Sequence, residues 1–287
     1  MLESGWKNAR ISFALSKGQD SAYLQVSEEL KNKNSHLGDI RIGDRIFSTS
    51  RGRNVYTCRL AANEEEVRQA QRLRFQIFNI ELNEGLPESF KTGLDVDEFD
   101  PICDHLLVIH QESQTIVGTY RLQTGLHAQK NLGYYSAQEF DFGPLEPYRA
   151  EIVELGRACI HAEHRNLLAL GCLWRGIKKY ADSYNARYLV GCSSLTSQDE
   201  TEGAGAYHVL QKHLVPDEFH VEPLPHCACS LEKLPEKTVK IPKLLGAYMS
   251  IGAKICGAPA IDRTFKTIDF LTWLDLSRVP ASILEAQ

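Results

Sequence analysis

An acid, a base and the start of a helix lie close together in residues 151–166. Glu154 and Arg157 occupy a predicted strand over residues 152–160, and an amphipathic helix follows it. A helix N-terminus is a site for phosphate because its unpaired backbone N–H groups and its dipole both point there. A carboxylate beside such a site could take a proton from an attacking amine. The segment therefore indicates transfer of an acyl group from a phosphopantetheine carrier to an amine.

The spacing of Glu154 and Arg157 leaves two interpretations open. An ideal strand places residues three apart on opposite faces of the sheet. A β-bulge would let both side chains enter one cleft, as a catalytic pair requires. In the alternative interpretation, the two residues form a surface ion pair that takes no part in chemistry.

The order of the predicted elements indicates the fold that positions these residues. The predicted strands are residues 55–60, 105–110, 116–122, 152–160, 187–192 and 265–276. The predicted helices are residues 63–78, a helix after Asn166, residues 204–214 and residues 239–256. This order predicts an α/β (α+β) fold with a mixed central sheet and helices on both faces.

Two domains of unequal size are predicted. Residues 1–53 are interpreted as a weakly structured N-terminal extension that ends in a linker at residues 48–53. Residues 54–287 contain all the organised patterns and are predicted to form one domain.

Composition limits the function. The chain has 287 residues and a net charge of −5, which argues against a nucleic-acid partner. No apolar run approaches the roughly 18–20 residues that span a bilayer, and no signal peptide is evident, so we expect a cytoplasmic protein. The eight cysteines are then expected to be reduced. Cys227 and Cys229 are spaced too closely for the common zinc sites, so no metal is predicted.

A set of motifs occurs in a fixed order along the chain. They are residues 73–82 (LRFQIFNIEL), 97–108 (DEFDPICDHLLV), 117–122 (VGTYRL) and 154–157 (ELGR). Together they resemble the ornithine–acyl carrier protein N-acyltransferases of ornithine lipid synthesis. That family is a branch of the acetyltransferase-like superfamily, and the acyl-homoserine lactone synthases are looser relatives. The resemblance covers residues 55–276, including a tail that the lactone synthases lack.

The resemblance implies an acetyltransferase-like fold and a reaction. A 3-hydroxy fatty acyl group would move from acyl carrier protein to the α-amine of ornithine, by direct attack, giving lyso-ornithine lipid. Glu154 and Arg157 would be the catalytic residues. The resemblance also leaves two alternatives: an N-acyl amino acid or acyl-homoserine lactone synthase with another amine, or a protein that binds acyl carrier or lipid without turnover.

The acidic loop and two arginines are the predicted acceptor site. Asp97, Asp100 and Asp104 suit a cationic acceptor, although a solvated turn is the alternative. Arg74 lies on the apolar side of its helix, where an arginine is usually paired, and we expect one of these carboxylates as its partner. Arg121 could join that network or bind the acceptor's carboxylate in a two-pronged contact.

The donor site departs from the superfamily pattern. The predicted donor-binding residues are Arg165, Asn166, Leu168 and Arg175. Acetyltransferases that bind coenzyme A usually have glycines at this turn, whereas residues 165–171 read RNLLALG. Acyl carrier protein is therefore the expected donor, and no cofactor is expected beyond the acyl-phosphopantetheine that it carries. The basic residues of the helix after Asn166 could form a patch that binds the acidic carrier protein, or they could be the solvated face of that helix.

The predicted tail helix over residues 239–256 has three lysines and a broad apolar face. It could line an acyl tunnel, pack in the core, or contact anionic lipid transiently at the inner face of the membrane. The sequence lacks the motifs of other enzyme classes. It has no G-x-S-x-G, the motif of nucleophile-elbow hydrolases, and no P-loop.

Overall fold

The computed structural model describes residues 47–51 and 54–279. In this part of the chain the strands are β1 (Phe47–Arg51), β2 (Asn54–Leu60), β3 (Asp104–His110), β4 (Thr115–Thr124), β5 (Ile152–Ile160), β6 (Tyr188–Leu195), β7 (Lys254–Ile255), β8 (Ala260–Asp262) and β9 (Thr267–Asp275). The α-helices are α1 (Glu64–Phe75), α2 (Ser89–Thr92), α3 (Gly125–Lys130), α4 (Leu167–Ser183), α5 (Glu200–Leu210) and α6 (Lys243–Ser250). Short 3-10 helices include Tyr135–Gln138 and Gly143–Glu151.

The strands form one mixed sheet. Its order is β1-β2-β3-β4-β5-β6-β9-β7, with β8 also paired to β9. All the pairs are antiparallel except β5 with β6. The predicted mixed central sheet is therefore confirmed.

Helices cover both faces of this sheet. Along β3, Leu106 and Val108 pack in the same core as Ile177 of α4. The alternate residues Leu107 and Ile109 pack with Ala70 of α1. Because side chains alternate between faces along a strand, α1 and α4 lie on opposite sides of the sheet. This arrangement also agrees with the fold class predicted from the sequence.

A π-helical turn, Gln76–Glu81, continues α1. The backbone N–H of Leu82 donates to the carbonyl oxygen of Ile77 at 2.9 Å, five residues back. Three consecutive residues of this wider turn, Ile77, Phe78 and Asn79, are buried. It carries the end of the helix toward the start of α4.

A β-bulge interrupts β5 where the strand carries its predicted catalytic residues. Thr119 pairs with Cys159 and Arg121 with Gly156, so Arg157 and Ala158 together lie opposite Tyr120. Arg157 has a φ of 53°, in the left-handed region that is uncommon for a non-glycine residue. The bulge that the sequence hypothesis required is thus present.

The pairing of β5 with β6 ends before this bulge. They pair over only three residues of each strand, from Ile152 with Tyr188 to Glu154 with Val190. Next to the last pair, a Cβ added to Gly191 would lie 2.2 Å from the carbonyl oxygen of Leu155, so the close approach there requires glycine.

Some predicted elements differ from the structure. The tail helix is shorter than predicted: α6 covers Lys243–Ser250 and ends before Gly252, whose φ is 100°. Residues 48–51 were predicted as linker but belong to β1, which pairs with β2. The rest of the predicted extension lies outside the described residues, and the division at residue 53 stays a prediction. None of the described helices is long and apolar enough to cross a membrane.

Candidate active site

A buried network of charges fills the space between α1 and the face of β4 and β5. It consists of three arginines and three aspartates, so its formal charge is balanced. Its members are Arg74, Arg121, Arg157, Asp95, Asp97 and Asp100. Ion pairs this deep need mutual compensation, because a buried charge without a partner is costly.

Arg74 is the centre of the network and is fully buried. Its Nη1 donates to Asp100 Oδ1 at 2.9 Å and its Nη2 to Asp100 Oδ2 at 2.6 Å. Its Nε lies 2.8 Å from Asp95 Oδ2. Although burial acts in the opposite direction, the charges of Arg74 and Arg121 hold the pKa of Asp100 well below its usual range. The pairing of Arg74 with the acidic loop is confirmed.

Asp97 joins the other two arginines. Its Oδ1 accepts from Arg121 Nη1, and its Oδ2 accepts from Arg157 Nη2 at 2.8 Å. Burial opposes their effect, but the two guanidinium groups lower the pKa of Asp97. Both guanidinium groups also lie over the ring of Tyr135. The distance from the guanidinium carbon to the ring centre is 5.2 Å for Arg121 and 4.9 Å for Arg157. Arg121 is therefore part of the network, which was one of its two predicted roles.

Glu154 is buried apart from this network and is only 3% exposed. Its Oε2 accepts from Gln123 Nε2 at 2.6 Å and from the backbone N–H of Tyr135 at 2.9 Å. Its Oε1 accepts from the backbone N–H of Ser136 at 2.8 Å. The alternative of a surface ion pair between Glu154 and Arg157 is wrong, because Glu154 is buried and the largely covered side chain of Arg157 pairs with Asp95 and Asp97 instead. The role of Glu154 as a base stays a prediction.

A polar cavity of about 320 Å³ opens beside the network. Of the predicted site residues, Asp97 and Arg157 line it. The remaining charged or polar wall comes from Glu98, Tyr135, Gln138, Glu139, His226, Asp262, Arg263 and Thr264. The cavity therefore offers groups of both charges to a small zwitterionic molecule.

An apolar cavity of about 530 Å³ lies on the other side of the bulge. Its wall includes Ala158 and Ile160 of β5, Phe78 of the π-helical turn, Trp174 of α4 and Tyr248 of α6. Because Arg157 lines the polar cavity and Ala158 lines the apolar one, the two cavities approach each other at consecutive residues of β5.

The start of α4 lies on the wall of the apolar cavity and supplies two of the predicted donor residues. Arg165 and Asn166 line the cavity. Asn166 Oδ1 accepts from the backbone N–H groups of Leu168 at 3.0 Å and Ala169 at 3.1 Å. Arg165 Nη2 donates to Glu81 Oε2 at 2.8 Å. The helix start is thus capped by its own side chain.

Three predicted site residues lie elsewhere. Leu168 packs against the core beneath α4, and the buried side of the Arg175 guanidinium lies near the thiol of Cys58; neither lines the apolar cavity. Asp104 accepts from the hydroxyl of Tyr180 in α4 at 2.8 Å, on the opposite face from Asp97. Their predicted contacts with substrate stay predictions.

Sequence patterns did not single out the acids that lie deepest beside the polar cavity. Glu139 comes from an aromatic, turn-rich segment, and Asp269 is a strand residue between two apolar ones. Glu139, Cys192 and Asp269 place their ligand-type atoms within 4.8 Å of one another. The sequence contains one signal for Asp269. This acid lies between Ile268 and Phe270 in a buried strand, where a charged residue is rare.

Comparison with known proteins gives the family. A family model described as "Acetyltransferase (GNAT) domain" matches residues 73–175. The chain is 32% identical over 238 residues to the L-ornithine N(alpha)-acyltransferase of Brucella abortus, covering 77% of this chain and 84% of that protein. It is also 32% identical over 237 residues to the enzyme of the same name from Agrobacterium fabrum, covering 77% and 81%.

A solved structure, that of FeeM, an N-acyl amino acid synthase from uncultured soil microbes, superimposes with a TM-score of 0.48 and 13% identity. It covers 77% of this chain and 90% of the FeeM chain. The family match and the two enzymes, taken with the mixed sheet and its bulged central strand, show that the chain is an acyltransferase with an acetyltransferase-like fold and belongs to the L-ornithine N(alpha)-acyltransferase family.

Proposed function

We propose that the protein transfers a fatty acyl group from acyl carrier protein to the α-amine of ornithine, giving lyso-ornithine lipid. The observation that carries this proposal is the pair of cavities of opposite character on either side of the β5 bulge. The apolar cavity suits an acyl chain and its pantetheine arm, and the polar cavity suits an amino acid. The two reacting groups would meet at Arg157 and Ala158.

The bulge supplies a group for the reacting thioester. A bulge leaves its extra residue unpaired in the strand ladder. We infer that a backbone N–H at residues 157–158 donates to the thioester carbonyl oxygen and stabilises the negative charge that develops on it. Arg157, on the wall of the polar cavity, would hold the carboxylate of the acceptor close to this point.

The proposed step is a direct attack. The neutral α-amine attacks the thioester carbon, the C–N bond forms and the C–S bond breaks. Of the two protons lost by the α-ammonium, one goes to the departing thiolate and one to the solvent, with Glu154 as the predicted relay. Cys159 lines the apolar cavity, but burial raises the pKa of its thiol to about 12, so it remains protonated and does not compete as a nucleophile.

The capped start of α4 supports acyl carrier protein over coenzyme A as the donor. Asn166 already occupies the N–H groups of Leu168 and Ala169, which a pyrophosphate would otherwise use. We expect kcat/KM for acyl carrier protein thioesters to exceed that for the matching acyl-coenzyme A by about a hundredfold, equivalent to two lost charge-assisted hydrogen bonds. Thiol release with the two donors, at one acyl length, measures the ratio. Equal use of the two donors would contradict the donor assignment.

Mass spectrometry of the purified protein with 3-hydroxyacyl carrier protein and a pool of amino acids tests the reaction itself. N-acyl-ornithine is the expected product. A different N-acyl amino acid would keep the mechanism and replace the acceptor. A lactone that forms only with S-adenosylmethionine would favour the acyl-homoserine lactone alternative. An intact thioester in every reaction would contradict the proposed donor or acceptor class.

The apolar cavity is expected to set the length of the acyl chain. Ala247 lies on its wall in α6, and the change Ala247→Phe would fill part of the space. We expect the ratio of kcat/KM for a long chain over a chain four carbons shorter to fall about tenfold, since each excluded methylene costs about 0.8 kcal/mol or more. The neighbouring change Gly246→Ala, at a residue off the wall, is the control. An unchanged length preference would place the acyl chain elsewhere.

The tail helix has a position that fits the first two of its three predicted roles, because Leu245 and Met249 pack in the core while other residues face the apolar cavity. Lys243, Leu244, Ala247 and Tyr248 of α6 contribute to the wall of the apolar cavity. Transient membrane contact through this part of the chain stays a prediction.

A further inference from the structure

Two buried carboxylates, Glu139 on the wall of the polar cavity and Asp269 beside it, take no part in the arginine network. Glu139 is 7% exposed and Asp269 is 4% exposed. Their carboxylate oxygens lie within 4.8 Å of each other and of the thiol of Cys192. Two acids held so close together repel each other, and burial strengthens the repulsion.

No lysine or arginine of the described ranges 47–51 and 54–279 forms an ion pair with Glu139 or Asp269. Arg157 acts on Glu139 electrostatically but pairs with Asp95 and Asp97. The Oδ1 atom of Asp269 is buried and has no hydrogen-bond partner in the described part of the chain, although the hydroxyl groups of Ser194 and Thr267 interact with the carboxylate. A buried acceptor atom left without a partner costs free energy, so these acids have the properties of a cation site.

One member of the pair, Glu139, borders the polar cavity, whereas Asp269 lies behind it and does not line the wall. Glu139 lies on the cavity wall, together with Arg157 and Asp97. Asp262 lies on the same wall, and its Oδ1 accepts from the backbone N–H groups of Thr264 at 2.7 Å and Phe265 at 2.8 Å. The cavity wall therefore has a guanidinium near the β5 bulge and carboxyl groups at Glu139 and Asp262.

We propose that Glu139 and Asp269 bind the side-chain ammonium of the acceptor and so select an amino acid that carries a second amine. This assignment rests on the proposed N-acyltransfer to ornithine and adds the residues that select it. A primary ammonium has three N–H donors, and two carboxylates can accept them at the unoccupied oxygens. With the acceptor's carboxylate at Arg157, its α-amine remains beside the bulge and its side chain points to Glu139.

Titration of the pair is consistent with this role. Burial, and then the charge of Asp269, raise the pKa of Glu139 to about 9, and burial raises the pKa of Asp269 to about 6. The other charged groups acting on the pair are Arg157, Glu154, Asp262 and Glu84. An ammonium would supply the missing positive charge and release a proton from Glu139 on binding.

The test compares ornithine with 2-aminopentanoate, which has the same carbon chain without the second amine. With the wild-type protein and acyl carrier protein thioester, kcat/KM should be at least about a hundredfold higher for ornithine, since a buried charge partner is lost in the analogue. Glu139→Gln should lower kcat/KM for ornithine about 30- to 1,000-fold and change that for 2-aminopentanoate less than about threefold. Glu218→Gln, at an exposed position, removes the same charge and should leave both values unchanged.

Thermal unfolding with ornithine supplies a readout that does not depend on turnover. Ornithine should raise the Tm of the wild type and of Glu218→Gln, and should not raise the Tm of Glu139→Gln or Asp269→Asn. Asp269→Asn provides a second test of the site in case Glu139→Gln does not fold. Retention of the preference for ornithine by both variants would overturn the proposal. So would stabilisation by Zn²⁺ that depends on Glu139 while the effect of ornithine does not, because the cluster would then be a metal site.

A wild-type protein that acylates 2-aminopentanoate and ornithine equally would leave N-acyltransfer intact and remove the role of Glu139. A wild-type protein that acylates neither, with the thioester intact, would overturn the proposed function.

Discussion

Glu154→Gln is expected to lower N-acylation about a thousandfold, within the range that a general base or its exact placement contributes. The side chain accepts three hydrogen bonds, from Gln123 and from the backbone of Tyr135 and Ser136. A glutamine would place an N–H₂ group against at least one of these N–H donors. The variant therefore loses the negative charge and also displaces the segment that carries Tyr135. Initial rates at saturating donor measure the effect.

The pH dependence of the residual rate separates the two causes. If Glu154 relays the proton, the slow reaction of Glu154→Gln should rise steadily with hydroxide concentration. If Glu154 only positions Tyr135, the profile should keep its shape at a lower height. Donor binding is the internal control, because Glu154 does not line the apolar cavity. A variant within about tenfold of the wild-type rate would exclude both roles.

Arg74→Met is expected to lower the free energy of unfolding by about 3–5 kcal/mol, the usual result of removing one partner from a buried ion pair. Methionine keeps much of the side-chain volume but leaves Asp95 and Asp100 in the core with less compensation. Adding Asp100→Asn to the same chain should recover part of the loss. Urea unfolding at pH 7 measures all three proteins.

The same network makes stability depend on acid. The pKa of Asp100 is lower in the folded protein than in the unfolded chain, because Arg74 and Arg121 outweigh the effect of burial. Its contribution is therefore complete above about pH 4 and is lost as the pH falls below that value. Arg74→Met should show less of this loss. The control is Lys178→Met, which breaks an exposed ion pair with Asp182 and should change the free energy of unfolding by less than about 1 kcal/mol. If Lys178→Met and Arg74→Met lowered that free energy equally, burial of the network would not explain the large expected effect of Arg74→Met.

The sequence predicts the frame of this protein better than its deepest charges. Period-two alternation and helical spacing identify β3, β4 and β5, because burial on one or both faces leaves a direct pattern. The pairing of Arg74 follows from its place on an apolar helix face, where a lone charge is not tolerated. The sequence also indicates where α6 ends, because Gly252 is suited to the left-handed conformation that ends helices.

Other features depend on contacts between distant segments. Asp100 and Asp104 are neighbours in sequence, yet the start of β3 sends the second to Tyr180 on the opposite face of the sheet. Glu139 and Asp269 are 130 residues apart and meet only through the folded sheet. Neither spacing nor periodicity contains that information, so the ammonium site could not be predicted from single motifs.

The π-helical turn makes the mouth of the apolar cavity depend on chain length as well as on residue identity. Each residue of an α-helix advances the chain by about 100°, and the wider turn accommodates one residue more than a regular one. Loss of one residue from Gln76–Glu81 would restore a regular helix and rotate Glu81 away from Arg165 and Leu82 away from the wall. The wall of this cavity is therefore sensitive to the insertion or deletion of a single residue in the turn, as well as to substitution of the residues that line it.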